Sequence, residues 1–116
     1  MPELFIIVDD YDMVATSASN PLLPLVDQLA QAKDLGFHLI LARRTGGAGR
    51  AIYDPVISRL RDLGVDGLVM SGSREEGALI ADVRPSPLPP GRGVFVTRSR
   101  APELVQICDV PLQHDD

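Results

Sequence analysis

Leu4-Phe5-Ile6-Ile7-Val8-Asp9-Asp10-Tyr11-Asp12 runs five consecutive apolar residues into three carboxylates within four positions. A short unbroken run rich in Ile and Val reads as a strand buried on both faces, the kind found at the centre of a parallel sheet. Its carboxyl end is then the place where open α/β sheets form the crevice that handles a cation or a phosphate. The fold and the candidate chemistry therefore both start at Leu4.

Downstream of this strand, Tyr11 to Ser19 lacks any period and reads as a loop. Asn20-Pro21 opens a helix, since Asn caps free amides and Pro fits a first turn where its missing donor costs nothing. Leu22, Leu25, Val26, Leu29, Ala32 and Leu35 give one apolar stripe, and Gly36 ends it as a left-handed cap. Phe37 to Ala42 is a second strand and Arg43 to Tyr53 a glycine-rich, flexible connection. Asp54-Pro55 repeats the cap-and-proline opening, Val56, Ile57, Leu60 and Leu63 form an inner face, and Gly64 closes the helix. Gly67 to Met70 is a third strand. This alternation predicts a parallel sheet covered by helices. Beyond it, Ser73 and Glu76 have capping-box spacing for a single helical turn, ended by Gly77. Arg84 to Gly93 packs four prolines and two glycines into an extended connector, and Val94–Thr97 with Leu104–Ile107 reads as an antiparallel edge hairpin.

Length and composition narrow the function. At 116 residues, 45% hydrophobic, the chain has material for one modest core. A net charge of -5 opposes a nucleic-acid role, and one cysteine, Cys108, excludes an internal disulfide. Neither a signal peptide nor a membrane-spanning run is read near the amino terminus, so a reducing, cytosolic setting is expected.

A hydrophobic strand ending in Asp-Asp has the form of a Walker B element, in which one carboxylate helps hold a nucleotide's magnesium and the next polarises the attacking water. The spacing gives Asp9 the metal-facing place and Asp10 the catalytic place more often held by Glu. Asp is one methylene shorter, and catalysis is sensitive to displacements of about 1 Å. The alternative, an Asp that simply forms a turn or caps a helix after the strand, stays open on these residues alone. Asp10-Tyr11-Asp12-Met13-Val14 also fits the D-x-D-x-[TV] pattern of haloacid-dehalogenase-like phosphotransferases, with Ser71 as a second element. That chemistry needs a later lysine and a later acidic pair; the one lysine, Lys33, lies before Ser71.

The loop Thr45-Gly46-Gly47-Ala48-Gly49-Arg50 has no lysine of a G-x-x-x-x-G-K-[ST] phosphate cradle, and the chain has no G-x-G-x-x-G. Arg43, Arg44 and Arg50 around it suit phosphate or carboxylate contacts from a neighbouring chain, although arginines beside loops are commonly solvated. His38, Cys108 and His114 lack metal-ligand spacing; His38 reads as a partly packed strand residue and Cys108 as a small core hydrophobe. Ser71 and Ser73 have no triad partners.

In order, "LFIIVDDYDMVAT", "NPLLPL", "LGFHLILARRTGGAGRA", "DPVISRLRDLG", "LVMSG", "EGALI" and "VRPSPLPPGRG" resemble the carboxy-terminal part of an FtsK/SpoIIIE-like ATPase domain of EccC-type proteins of type VII (ESX) secretion. The likeness runs from Leu4 to Val110, so 1–112 is expected to be the carboxy-terminal half of such a domain and 113–116 a frayed tail. It implies part of a RecA-like P-loop NTPase three-layer sandwich. The mostly parallel sheet would end in the antiparallel edge hairpin. It also implies a place in a secretion motor at the inner face of the cell membrane, with ATP and magnesium in the complete domain. By the resemblance Asp9 and Asp10 are Walker B carboxylates, Asp9 the magnesium ligand through the nucleotide. Arg43 and Arg44 lie at a nucleotide-proximal polar pair. Expected partners are the rest of the ATPase domain or neighbouring subunits, the membrane complex, and the carboxy-terminal signal of secreted helical-hairpin proteins; nucleic acid is not expected. Lacking a Walker A loop, the chain is not expected to hydrolyse ATP alone. A non-catalytic module binding the secretion signal and an FtsK-like DNA translocase fragment are the alternatives.

Overall fold

The computed structural model describes residues 2–16 and 18–108. The boundary expected at residue 112, the tail after it, and His114 lie outside the described residues.

The chain opens with strand β1 (Leu4–Val8) and a single helical turn, α1 (Tyr11–Val14), where the sequence predicts loop. A 3₁₀ segment, Leu23–Gln31, runs into the turn α2 (Ala32–Leu35) and then strand β2 (Phe37–Leu41). The stripe from Leu22 to Leu35 is therefore helical but tightly wound for most of its length, and Pro24 removes one amide from its opening ladder. Asn20 Oδ1 accepts from the Leu22 amide at 3.0 Å, but the segment starts at Leu23, later than the expected Asn20-Pro21 opening, and has no side-chain cap; Gly36 (φ 77°) ends it in the left-handed region, as the sequence predicts.

After β2 come the short α3 (Ala48–Ala51) and the longer α4 (Pro55–Leu63). Asp54 caps α4 by accepting from the amides of Val56 and Ile57, and Gly64 (φ 70°) closes it. Strand β3 (Gly67–Met70), a 3₁₀ turn (Arg74–Glu76), and strands β4 (Arg92–Val96) and β5 (Glu103–Gln106) complete the described chain.

The sheet is not continuous among the described residues. Strands β1 and β2 pair in parallel, Leu4 opposite Phe37 through Val8 opposite Leu41. The third strand departs from the expected parallel arrangement: β3 pairs antiparallel with β4, and β4 antiparallel with β5, in a separate sheet of order β3-β4-β5. The expected hairpin is present as β4 and β5. The reversal follows from the proline segment, which turns the chain back along β3: Leu88 N donates to Ser71 Oγ (2.9 Å) and Gly72 N to the Ser86 carbonyl (3.1 Å), with Pro85 buried.

One core forms where the inner face of the β1–β2 pair meets the 3₁₀ segment and α4. Tyr11, Leu29, Phe37 and Val56 are buried there, with Ile6, Val8, Val26, Leu39, Ile57, Leu60 and Leu63 packed around them. The inner face expected of α4 is thus the observed one. Burial of β1 on both faces is not: Phe5 and Ile7 are exposed, as is Ile40 opposite Ile7. The alternation of the pleat sends only Ile6 and Val8 inward.

Candidate functional site

Parallel pairing sets the ends of β1 and β2 side by side. Ala42 N donates to the Val8 carbonyl (2.9 Å), and the chain leaving β1 is stitched back when Tyr11 N donates to the Ala42 carbonyl (2.8 Å). Residues 9–12 and 42–47 consequently share one rim, so the sequence-predicted Asp9, Asp10, Arg43 and Arg44 meet there.

Asp9 and Asp10 are both exposed. Asp9 Oδ1 accepts from the Asp10 amide at 2.9 Å. Asp10 itself sits in the left-handed region, φ 50° and ψ 51°, a conformation Asp tolerates better than most side chains but at some cost in strain. It stands at the N-cap position of α1, yet its side chain caps no amide. The bland reading of Asp10 as a helix cap therefore fails. Asp9 does satisfy a local amide, which is turn chemistry, and it retains lone pairs on its second oxygen.

Beneath this rim lies a polar knot with no local signature in the sequence. Tyr11, 1% exposed, donates from its hydroxyl to Asp54 Oδ2 (2.8 Å) and accepts from Asn20 Nδ2 (2.8 Å); Asn20 also reaches Asp54 Oδ1 (3.3 Å). Asp54 Oδ2 accepts in addition from the Val56 and Ile57 amides. Burial, reinforced by donation to the Asp54 carboxylate, pushes the Tyr11 hydroxyl up to about 12. The α1 turn is thus fastened to α4 and to the entrance of the 3₁₀ segment.

The two arginines separate. Arg43 folds onto its own loop, its Nε donating to the Arg44 carbonyl and its Nη2 to the Gly46 carbonyl, each at 3.0 Å. Arg44 pairs with Asp12, Nε to Oδ2 at 3.1 Å. Arg50, in α3, is exposed.

The glycine-rich loop is docked, where the sequence predicts a flexible connection. Glu76 Oε2 accepts from the Gly47 amide at 2.9 Å, and a Cβ at Gly49 would overlap the Glu76 carbonyl oxygen. Absence of side chains lets backbone lie on backbone here. Glu76 accordingly does not close a capping box; only Ser73 caps its turn, accepting from the Glu75 amide at 3.2 Å.

Other candidates resolve plainly. His38 is partly packed, as expected, stacked on Phe5 with ring centroids 4.5 Å apart. Its Nε2 is 3.4 Å from Glu3 Oε2 without hydrogen-bond geometry. Cys108 is exposed and not the core residue the sequence predicts, because it follows β5 at the sheet's edge. Ser71 Oγ is engaged by the Leu88 amide. Among the described residues no three His, Cys, Asp or Glu side chains gather as a metal site, and no helix is long and apolar enough to cross a membrane. Lys33 lies away from the rim: α2 joins the opposite end of β2, roughly 15 Å of strand away.

No protein-family profile matches the chain. The chain is 53% identical over 110 residues to the ESX-4 secretion system protein EccC4 of Mycobacterium tuberculosis, covering 95% of the chain and 9% of that protein. It is 56% identical over 104 residues to the ESX secretion system protein EccC of Thermomonospora curvata, covering 90% of the chain and 8% of the relative. Among solved structures, the cytoplasmic domain of the T. curvata type VII secretion ATPase EccC superposes with a TM-score of 0.89 at 53% identity over 95% of the chain. This chain belongs to the EccC family. It spans about a tenth of the length of the curated EccC relatives. A second solved structure, T. curvata EccC (ATPases 2 and 3) in complex with a signal sequence peptide, also superposes at 0.89 and 53% identity. The EccC-type chain therefore has the α/β architecture of a segment of those ATPases, with a two-stranded parallel sheet and a three-stranded antiparallel one.

Proposed function

We propose that the chain is the carboxy-terminal part of a RecA-like ATPase domain in a type VII secretion motor, supplying the carboxylate side of a nucleotide site. The observation that carries this reading is the parallel β1–β2 pair, which delivers Asp9, Asp10, Arg43 and Arg44 to one rim. The exposed outer face of that pair and the lack of a ladder between its sheet and β3 support a larger sheet in which further strands take part. A bound magnesium nucleotide would bring phosphoryl chemistry to the rim. On the protein side, Asp9 offers an outer oxygen to the metal, its other oxygen being tied to the Asp10 amide. Asp10, exposed beside it on a left-handed backbone, makes no side-chain hydrogen bond among the described residues, so its carboxylate can orient a water or accept its proton.

The test transplants the chain into T. curvata EccC in place of the matching segment and measures magnesium-ATP binding at that domain. Asp9→Asn is expected to weaken binding at least tenfold; equal affinity with and without the Asp9 carboxylate would refute the reading. The 116-residue chain alone is expected to show no magnesium-dependent hydrolysis above an Asp10→Asn control.

A second reading is favoured by the signal-peptide complex of T. curvata EccC: this segment takes part in substrate recognition. A pocket of about 150 Å³, partly open to solvent, lies between the end of α4 and β4, where Val65, Ile80 and Val96 stand beside Arg61 and Arg98. Calorimetric binding of a secretion-signal peptide to the chain without nucleotide supports this reading, and no heat at millimolar peptide argues against it.

A further inference from the structure

The rim holds two neighbouring arginines whose side chains are committed differently. Arg43 is spent on its own backbone, bonded to the carbonyls of Arg44 and Gly46. Arg44 has a side chain 77% exposed, tethered through Nε to a carboxylate only 12% exposed, that of Asp12. A pair of fully exposed charges would be solvated and nearly worthless. Here the acid cannot swing away, because the α1 turn that carries it is fixed through Tyr11 to Ala42, Asp54 and Asn20. The approach to Asp12 is made by Nε, and among the described residues neither Nη group of Arg44 makes a hydrogen bond. A guanidinium held in this way offers two parallel donors, the match for two oxygens of a phosphoryl group.

We propose that Arg44 is an oxyanion-binding residue for a phosphoryl group at the rim, that Asp12 is the residue that orients it, and that Arg43 is a loop staple with no ligand contact. The assignment rests on the nucleotide reading above and names which arginine serves it.

Arginine side-chain NMR of the 116-residue chain tests it, with inorganic pyrophosphate as the probe. Before any addition, the Arg44 Nε–H signal is expected to be resolved and slow to exchange with water. Asp12→Asn should return it to the fast-exchanging pool of surface arginines; an unchanged signal would remove Asp12 from the proposal. Pyrophosphate with EDTA is expected to shift the Arg44 Nη signals saturably and leave those of Arg43 in place, and Arg44→Ala should abolish the accompanying amide shifts at 10–12. Equal, unsaturable shifts at every exposed arginine, a response from Arg43 in place of Arg44, or a stronger response to acetate at matched ionic strength would each overturn it. Magnesium separates this outcome from the nucleotide reading. If it tightens pyrophosphate only when Asp9 is intact while Arg44 does not respond, the reading stands and the arginine assignment falls. If Arg44 responds but magnesium adds nothing, the reverse holds.

Discussion

Tyr11 ties the rim to the core, and its hydroxyl sets an alkaline limit on stability. Its pKa is raised from 10.0 to about 12, first by burial and then by the bond to Asp54. The unfolded chain gives up this proton near pH 10 while the folded chain keeps it, so the contribution is intact below pH 10 and is lost as pH rises through the folded value. At about 1.4 kcal/mol per unit the loss between pH 10 and 12 is on the order of 2 to 3 kcal/mol. Denaturant titrations across that window should show the decline. Tyr11→Phe should flatten it while lowering stability near neutral pH by about 1 to 2 kcal/mol through the lost hydrogen bonds. A parallel decline in the two proteins would show that Tyr11 does not set the limit.

Helix α4 and its cap show what could be read in advance at the scale of an element. Asp54-Pro55 at its start, Gly64 at its end and the Val56-Ile57-Leu60-Leu63 face are local chemistry, and all are realised. Asp54 does more than cap, since it accepts from Tyr11 and Asn20, residues 43 and 34 positions away. No local pattern encodes such a bond. The same limit explains β3, whose four residues announce a strand but not its partner; the partner was set by the path of the proline segment. It also explains Glu76, placed correctly in a helical turn yet bonded to Gly47 across the fold. At the rim, the strand ends and acids were legible because they adjoin in sequence, whereas the different commitments of Arg43 and Arg44 depend on Asp12 and Gly46 lying within reach. Asp54→Ala should therefore cost more than an ordinary N-cap. That loss is about 1 kcal/mol, and stranding the Tyr11 hydroxyl adds roughly another 1 to 3. Thermal melting of Asp54→Ala beside a second cap variant, Ser73→Ala, measures the difference; equal losses would reduce Asp54 to a cap.

Across the whole molecule, apolar surface is left uncovered on a large scale. Phe5 (56% exposed), Ile7 (70%) and Ile40 (50%) share the outer face of the parallel pair, and Leu68 and Phe95 face outward from the other sheet. The radius of gyration, 15.4 Å, exceeds the roughly 13 Å expected of a compact domain of this length. Both observations fit a segment of a larger body. Among the described residues the edge of β1 away from β2 is unpaired; it carries five apolar residues and is a template for pairing with another chain, so the isolated chain should be marginally stable and prone to associate. Sedimentation that shows a lone monomer with a sharp thermal transition would contradict this.

The uncovered outer face of β1 and β2 also has a calorimetric signature. Heat capacity rises on unfolding because apolar groups newly meet water, and Phe5, Ile7 and Ile40 already meet it in the native state. A fully enclosed chain of this length would gain about 1.4 to 1.7 kcal/mol/K. This one should gain measurably less, so its stability curve should be shallow, with cold and warmth weakening it more gently than they would a sealed domain.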